Sequence, residues 1–159
     1  MKGAKMQTKY KMQPYERQQA IAIVKAYKAY KADVLSEEKS ILSLSGGKYE
    51  TIGDERAFQP HGKGGKSAPT EDKALRLQKL HESYKARCVQ AVEYAFASLP
   101  IKHYTPELQK KTKQAIFTSC IKNKNSFNFE RSGIVGVERS RFYQLRSLFL
   151  LKIIKYMKI

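Results

Sequence analysis

Apolar residues recur every three or four positions through most of the chain, and the breaks in that rhythm mark where elements start and stop. From Gln13 onward the pattern is helical, with Ile23, Tyr27, Tyr30, Val34, Ile41 and Leu44 on one stripe and Glu37 interrupting it. Pro14 suits the first helical position, where its missing N–H costs nothing. Gly46-Gly47 predicts the stop, so a long helix is expected over 13–45. A stripe at heptad spacing can pack within its own chain or on a second copy of itself. Residues 1–12 precede it as a basic arm with no periodicity. Residues 46–69 hold six of the nine glycines and two of the five prolines, which predicts an irregular Gly-rich connection. A second long helix is expected over 70–100. Thr70 would cap it after Pro69, Glu71 and Asp72 suit its first turn, and Leu77, Leu80, Tyr84, Cys88, Val92 and Leu99 lie inward. Leu99-Pro100 ends it.

The last segment, 101–159, repeats the rhythm in shorter pieces. Thr105-Pro106-Glu107 supplies a cap, a proline at the first position and an acid in the first turn. The helix that follows runs to about Lys122, with Leu108, Thr112, Ala115, Ile116, Ser119 and Cys120 inward. Asn123 to Asn125 break it. A short helix is expected over 126–132, pinned to the core by Phe127 and Phe129. Gly133-Ile134-Val135-Gly136 then forms a corner at which glycine can take positive φ without steric penalty. After the corner, Val137, Phe142, Leu145, Phe149, Ile153 and Tyr156 mark one face of a final helix. Two helices meeting at a Gly-containing turn is the requirement of a helix-turn-helix. The predicted fold is therefore all-α: two long N-terminal helices joined by a Gly-rich loop, then a C-terminal helix-turn-helix module over 101–159.

Charge sharpens this picture. The net charge is +17 with a pI near 9.9. Residues 101–159 carry +10 of it and residues 1–45 carry +5, whereas 46–69 and 70–100 carry +1 each. Clustered positive charge is the electrostatic footprint of a polyanion binder. An anionic membrane surface fits less well, because the C-terminal arginines follow a turn and not one long amphipathic face. No membrane span is expected, since the densest apolar run, Leu148 to Ile154, is seven residues long and contains Lys152. Met1 to Met12 lacks the apolar stretch of a secretory signal. With Cys88 and Cys120 in helical patterns and no ligand-like spacing, a reduced cytoplasmic protein is expected, in the host cytoplasm if viral.

Chemistry beyond binding finds no footing. The acids are scattered, and His61, His81 and His103 have no partner at ligand or catalytic spacing. Gly65-Lys66-Ser67 resembles a phosphate-binding loop, but Pro60 stands where that pattern needs its first glycine and no strand precedes it. No enzyme activity, metal or cofactor is expected.

A recognition helix enters the major groove with its N-terminal turns nearest the base edges. That assigns base contacts to Arg139, Ser140, Tyr143 and Gln144. Arginine can reach O6 and N7 of guanine, and glutamine can pair with adenine. Glu138 can cap the helix or accept from cytosine. Arg141, Arg146, Lys110, Lys111, Lys113, Lys122 and Lys124 are the expected phosphate contacts. The partner is double-stranded DNA, and a homodimer through the N-terminal helix would let two modules read two half-sites.

Several short stretches carry a family resemblance. They are Ile52-Gly53, Pro69-Thr70-Glu71 with Lys73-Ala74, and Val137-Glu138-Arg139-Ser140-Arg141-Phe142-Tyr143-Gln144-Leu145. Their layout resembles the phage late-transcription regulators of the RinA/ArpU type, whose C-terminal helix-turn-helix is somewhat like region 4 of sigma factors. The resemblance implies a DNA-binding activator of late phage or mobile-element genes that contacts RNA polymerase. Glu138 departs from the family pattern, which usually has Ser or Thr there. Two other classes suit a basic helical chain. One is a small terminase subunit for DNA packaging, in which the helix-turn-helix is commonly N-terminal. The other is a protein-interaction or anti-repressor factor that turns its basic face to an acidic partner.

Overall fold

The computed structural model describes residues 11–50, 69–122 and 127–158, leaving aside the side chains of 44–50 and 69. The chain is all-α: among the described residues there are five α-helices, one 3-10 turn and no strand. The helices are α1 (Pro14–Glu50), α2 (Pro69–Glu82), α3 (Tyr84–Ala97), α4 (Pro106–Ile121) and α5 (Arg139–Lys158), with the 3-10 turn at Glu130–Ser132. Most of the basic arm, the connection beyond Glu50 and Lys124 lie outside the described residues. No described helix is long and apolar enough to cross a membrane.

Pro14 opens α1 as its position predicts. The first bond runs from the Arg17 N–H to the Gln13 carbonyl at 3.0 Å. Glu16 reaches back to accept from the Gln13 N–H at 3.4 Å, the return half of a capping box. The expected stop at Gly46-Gly47 does not occur, and α1 continues to Glu50. Glycine costs a helix only about 1 kcal/mol and still donates its N–H, so two glycines weaken a helix without breaking it.

The expected single helix over 70–100 is two helices. They meet at Ser83, whose N–H reaches only the Leu80 carbonyl at 3.1 Å. The Ser83 Oγ accepts from the Ala86 N–H at 3.3 Å, and the Ser83 carbonyl accepts from the Arg87 N–H at 2.9 Å. Ser83 is thus the N-cap of α3, and a serine hydroxyl competing for backbone N–H groups is enough to interrupt a helix without glycine or proline. Pro69 is the first residue of α2, so Thr70, expected as its cap, lies inside the first turn.

Contacts divide the chain into two compact units: Met1–Lys28 with Cys88–Ile159, and Ala29–Arg87. In the second unit Val34, Leu80 and Ala86 form a small core with Ile41 against it. Lys85 Nζ binds Asp33 Oδ2 at 2.8 Å, and the Tyr30 and Tyr84 rings meet edge to face at 6.4 Å. His81 Nε2 lies 2.7 Å from Glu38 Oε1, a carboxylate partner that sequence spacing does not reveal.

The first unit holds the larger core. Val24, Cys88, Val92, Leu99, Ile116 and the apolar face of α5 are all buried within it. On α5 that face is Phe142, Leu145, Phe149, Leu150, Ile153 and Ile154. Each such side chain contributes about 1.5–3 kcal/mol on burial, so α5 is held chiefly by this face. Phe149 stacks on Phe96 of α3 with ring centres 4.3 Å apart. Polar bonds set the register around this core: Tyr27 Oη donates to Glu93 at 3.1 Å, Tyr156 Oη donates to Gln90 at 3.1 Å, and Lys158 Nζ reaches Glu16 at 2.7 Å.

Candidate nucleic-acid interface

The first unit also holds the charge. Its residues with described side chains include sixteen Lys and Arg against five Asp and Glu, whereas those of the second unit include seven against six. Any polyanion would therefore be drawn to the unit containing α4 and α5.

Helix α4 begins as its sequence predicts. Thr105 is the N-cap, its Oγ1 accepting from the Leu108 N–H at 3.3 Å, with Pro106 at the first position. Thr112, Ala115, Ile116, Ser119 and Cys120 are buried, in agreement with the expected inward face, while Leu108 is half-buried. The two buried hydroxyls cost nothing unpaired: Thr112 donates to the Leu108 carbonyl and Ser119 to the Ile116 carbonyl, both at 2.7 Å.

The short helix expected over 126–132 reduces to the single 3-10 turn at Glu130–Ser132. Asn128 Oδ1 accepts from the Glu130 N–H at 2.9 Å, a local turn bond that competes with a longer helix. The aromatic pins do form. The rings of Phe127 and Phe129 pack on Phe142 with centres 5.6 and 5.1 Å away. The corner uses both of its glycines, Gly133 at φ 72° and Gly136 at φ 100°. A Cβ on Gly133 would meet nothing within 4 Å, so glycine is required there by conformation and not by space. Helix α5 then starts with the Phe142 N–H bonded to the Glu138 carbonyl at 2.9 Å.

Three of the four expected base contacts are exposed at this start. They are Arg139, Ser140 and Tyr143; Gln144 is half-buried. At 100° per residue the four share an arc of roughly 140°, opposite the buried Phe142 and Leu145 of the first turns; further along, the buried Leu150 and Ile154 fall under the same arc. Arg139 is 67% exposed at its side chain, pairs with Glu130 at 3.6 Å and lies 6.0 Å from the centre of the Tyr143 ring. Arg141 Nη1 donates to Gln144 Oε1 at 3.5 Å.

The expected phosphate contacts are spread more widely. Lys110 and Lys122 are exposed, Lys113 is half-buried, and Lys111 pairs with Glu107 one turn earlier at 3.3 Å. Arg146 stands apart from them. Its Nε donates to Ser119 Oγ at 3.1 Å, which ties α5 to α4 over the buried end of α4. Burial pushes the Cys120 thiol above its ordinary value, and the nearby Arg146 cation opposes that shift. Sequence reasoning did not single out Arg131, Asn128 or Glu130, which lie in the turn joining α4 to α5. The signal available was Asn128 between two phenylalanines, followed by the polar run Glu130-Arg131-Ser132 before the glycine corner.

No protein-family model, characterised protein or solved structure matches the chain. Among the described residues, no group of three or more His, Cys, Asp or Glu is placed to hold a metal ion.

Proposed function

We propose that the chain is a sequence-specific regulator that binds double-stranded DNA, an activator of late phage or mobile-element genes like the RinA/ArpU-type proteins its sequence resembles. Helix α5 enters the major groove by its N-terminal turns. Arg139, Ser140, Tyr143 and Gln144 read base edges there, and Arg141, Lys110, Lys111 and Lys113 hold phosphates. The observation that carries this reading is the start of α5. A polar, cationic arc containing Arg139, Ser140 and Tyr143 stands exposed opposite the buried Phe142 and Leu145 in the first turns of the helix, in the unit with sixteen cations against five acids.

In this reading α4 takes the part of the first helix of the helix-turn-helix, and the 3-10 turn and glycine corner form a long connection. Arg146 acts by fixing α5 on α4 through Ser119, not by touching DNA. Two copies pair to read two half-sites, and they do so through the second unit. The heptad stripe, which could have packed within the chain or on a second copy, has Val34 buried and Tyr30 and Ile41 half-buried within the chain. Leu35 and Leu42, seven residues apart on α1, remain 46% and 48% exposed. Their surroundings are near neutral, so two copies can meet there without the repulsion carried by the basic unit. Activation adds a contact to RNA polymerase.

Selection of bound fragments from the source genome, at about 0.15 M salt with excess competitor DNA, tests the proposal. Enrichment of one short site beside a promoter is expected. Enrichment beside packaging genes, with a ring-sized mass in solution, would replace it with the terminase reading. Absence of any enrichment would remove the base-reading role of α5.

A further inference from the structure

Between α4 and the segment 127–133 runs an open groove of about 470 Å³. One wall is a stripe of α4 and its C-cap: Lys111, Gln114 and Thr118 follow one another at helical spacing and Lys122 caps the end. At 1.5 Å per residue that stripe is about 16 Å long, enough to run beside several consecutive phosphates of one strand. The other wall is Phe127, Asn128, Arg131, Ser132 and Gly133. Among the described residues, three cations and no carboxylate line the groove. Among the described residues, Lys111 is the one of the three in an ion pair, and its partner Glu107 is 80% exposed. Among the described residues, Lys122 and Arg131 are in none of the ion pairs of the first unit, which join Lys111 to Glu107, Arg139 to Glu130 and Lys158 to Glu16. Like charges lining one groove repel each other, and an anion seated in it lowers that repulsion.

The donors suit phosphodiester oxygens. Gln114 contributes an amide, Arg131 a guanidinium with five N–H groups, and Asn128 keeps its NH₂ because only its Oδ1 is used by the Glu130 N–H. Thr118 donates its hydroxyl to the Gln114 carbonyl at 2.8 Å and still offers acceptor lone pairs for water. The walls are held from behind. Phe127 and Phe129 pack on Phe142, and Ala115, in the floor, is buried.

We infer that this groove is a phosphate seat for one strand of duplex DNA, with Arg131 and Lys122 as its principal ligands. The inference rests on the DNA-binding reading and deepens it. It separates a sequence-independent anchor between α4 and the 3-10 turn from the base-reading start of α5. Arg139 pairs with Glu130, one residue before Arg131, so the anchor and the reading helix adjoin through that turn.

The test is the salt dependence of duplex affinity, measured by anisotropy with a labelled oligonucleotide, for the full chain and four variants. Lys122→Ala, Arg131→Ala and the charge reversal Lys122→Glu lie in the groove. Lys155→Ala removes the same charge near the other end of α5, about 24 Å from Arg139 along the helix axis. The expected result is a loss of affinity that is uniform across duplex sequences. The slope of log K against log salt should shrink by about 1 for each groove alanine, and more for Lys122→Glu. Lys155→Ala should change neither, and the melting temperatures of all four should match the parent. Groove variants that behave like Lys155→Ala while the parent binds duplex would overturn the seat and leave the DNA reading standing. Tighter binding to single-stranded than to duplex oligonucleotide would overturn the duplex assignment. No binding by the parent at low salt would remove the DNA reading itself, and the seat with it.

Discussion

Arg139 Nη1 lies 3.6 Å from Glu130 Oε1, an ion pair between the start of α5 and the 3-10 turn in front of it. Both side chains are mostly exposed, at 67% and 72%, so the pair contributes little to stability. Its consequence is for binding. Glu130 holds the side chain proposed to read a base, and in the proposed complex it would place a negative charge near the phosphates. Replacing Glu130 with Gln keeps the shape and removes the charge. Duplex affinity should rise several-fold at low salt, and the gain should shrink as salt screens it. Affinity that is unchanged or lower would mean that the ion pair orients Arg139 for binding.

Arg146 is expected to matter for the fold. Its bond to Ser119 is partly buried and joins α4 to α5. Removing a charged donor from such a bond costs about 1.5–3 kcal/mol. Arg146→Ala should therefore lower the melting temperature by several degrees in a calorimetric scan. A variant with unchanged melting and reduced duplex affinity would reassign Arg146 to the DNA surface.

Ser83 is the joint between α2 and α3. Ser83→Ala removes the hydroxyl that accepts from the Ala86 N–H and should destabilise the chain by about 1 kcal/mol. Ser83→Asp should restore most of the loss, because aspartate caps as well as serine. Equal denaturation midpoints for the parent and Ser83→Ala would show that the cap is not what separates the two helices.

The ends of the first unit meet where Lys158 Nζ contacts Glu16 Oε1 at 2.7 Å. That hydrogen bond holds the Glu16 carboxyl below its ordinary value, and the same contact raises Lys158. For Glu16 the folded form favours the charged carboxylate. Its contribution is present above the ordinary carboxylate value and is lost as pH falls through the depressed one. For Lys158 the sign reverses, with loss as pH rises above the ordinary lysine range. In an NMR titration the Glu16 side chain should titrate below the exposed glutamates. Lys158→Met should return it toward them. No movement in that variant would exclude the ion pair.

Much of the fold can be read from the sequence where one strong local rule acts alone. Thr105-Pro106-Glu107 starts α4 at the expected residue, and Pro14 starts α1. The buried faces of α4 and α5 follow the three-and-four spacing closely. What could not be read involves competition between weak terms. Ser83 breaks a helix by accepting one bond that only the folded backbone reveals. Gly46-Gly47 fails to stop α1 because a cost of about 1 kcal/mol per glycine is smaller than the context can override. The helix expected over 126–132 shrinks because Asn128 bonds the backbone two residues on. Among the expected binding residues, the sequence fixes which are polar but not which are occupied. Arg139, Ser140 and Tyr143 emerge exposed, whereas Arg146 is turned to Ser119. Arg131 and Lys122, nine residues apart in sequence, line one groove, which helical spacing cannot reveal.

The most direct test of the central claim is to compare Arg139→Ala with the parent on the best site from a random-duplex selection, and on unrelated duplex, at about 0.15 M salt. The account predicts that the variant loses roughly 1–3 kcal/mol on the selected site and far less on unrelated DNA, with tolerance relaxed at one base position. Equal losses on both, or a parent that selects no site, would contradict the assignment of α5 as the reading helix.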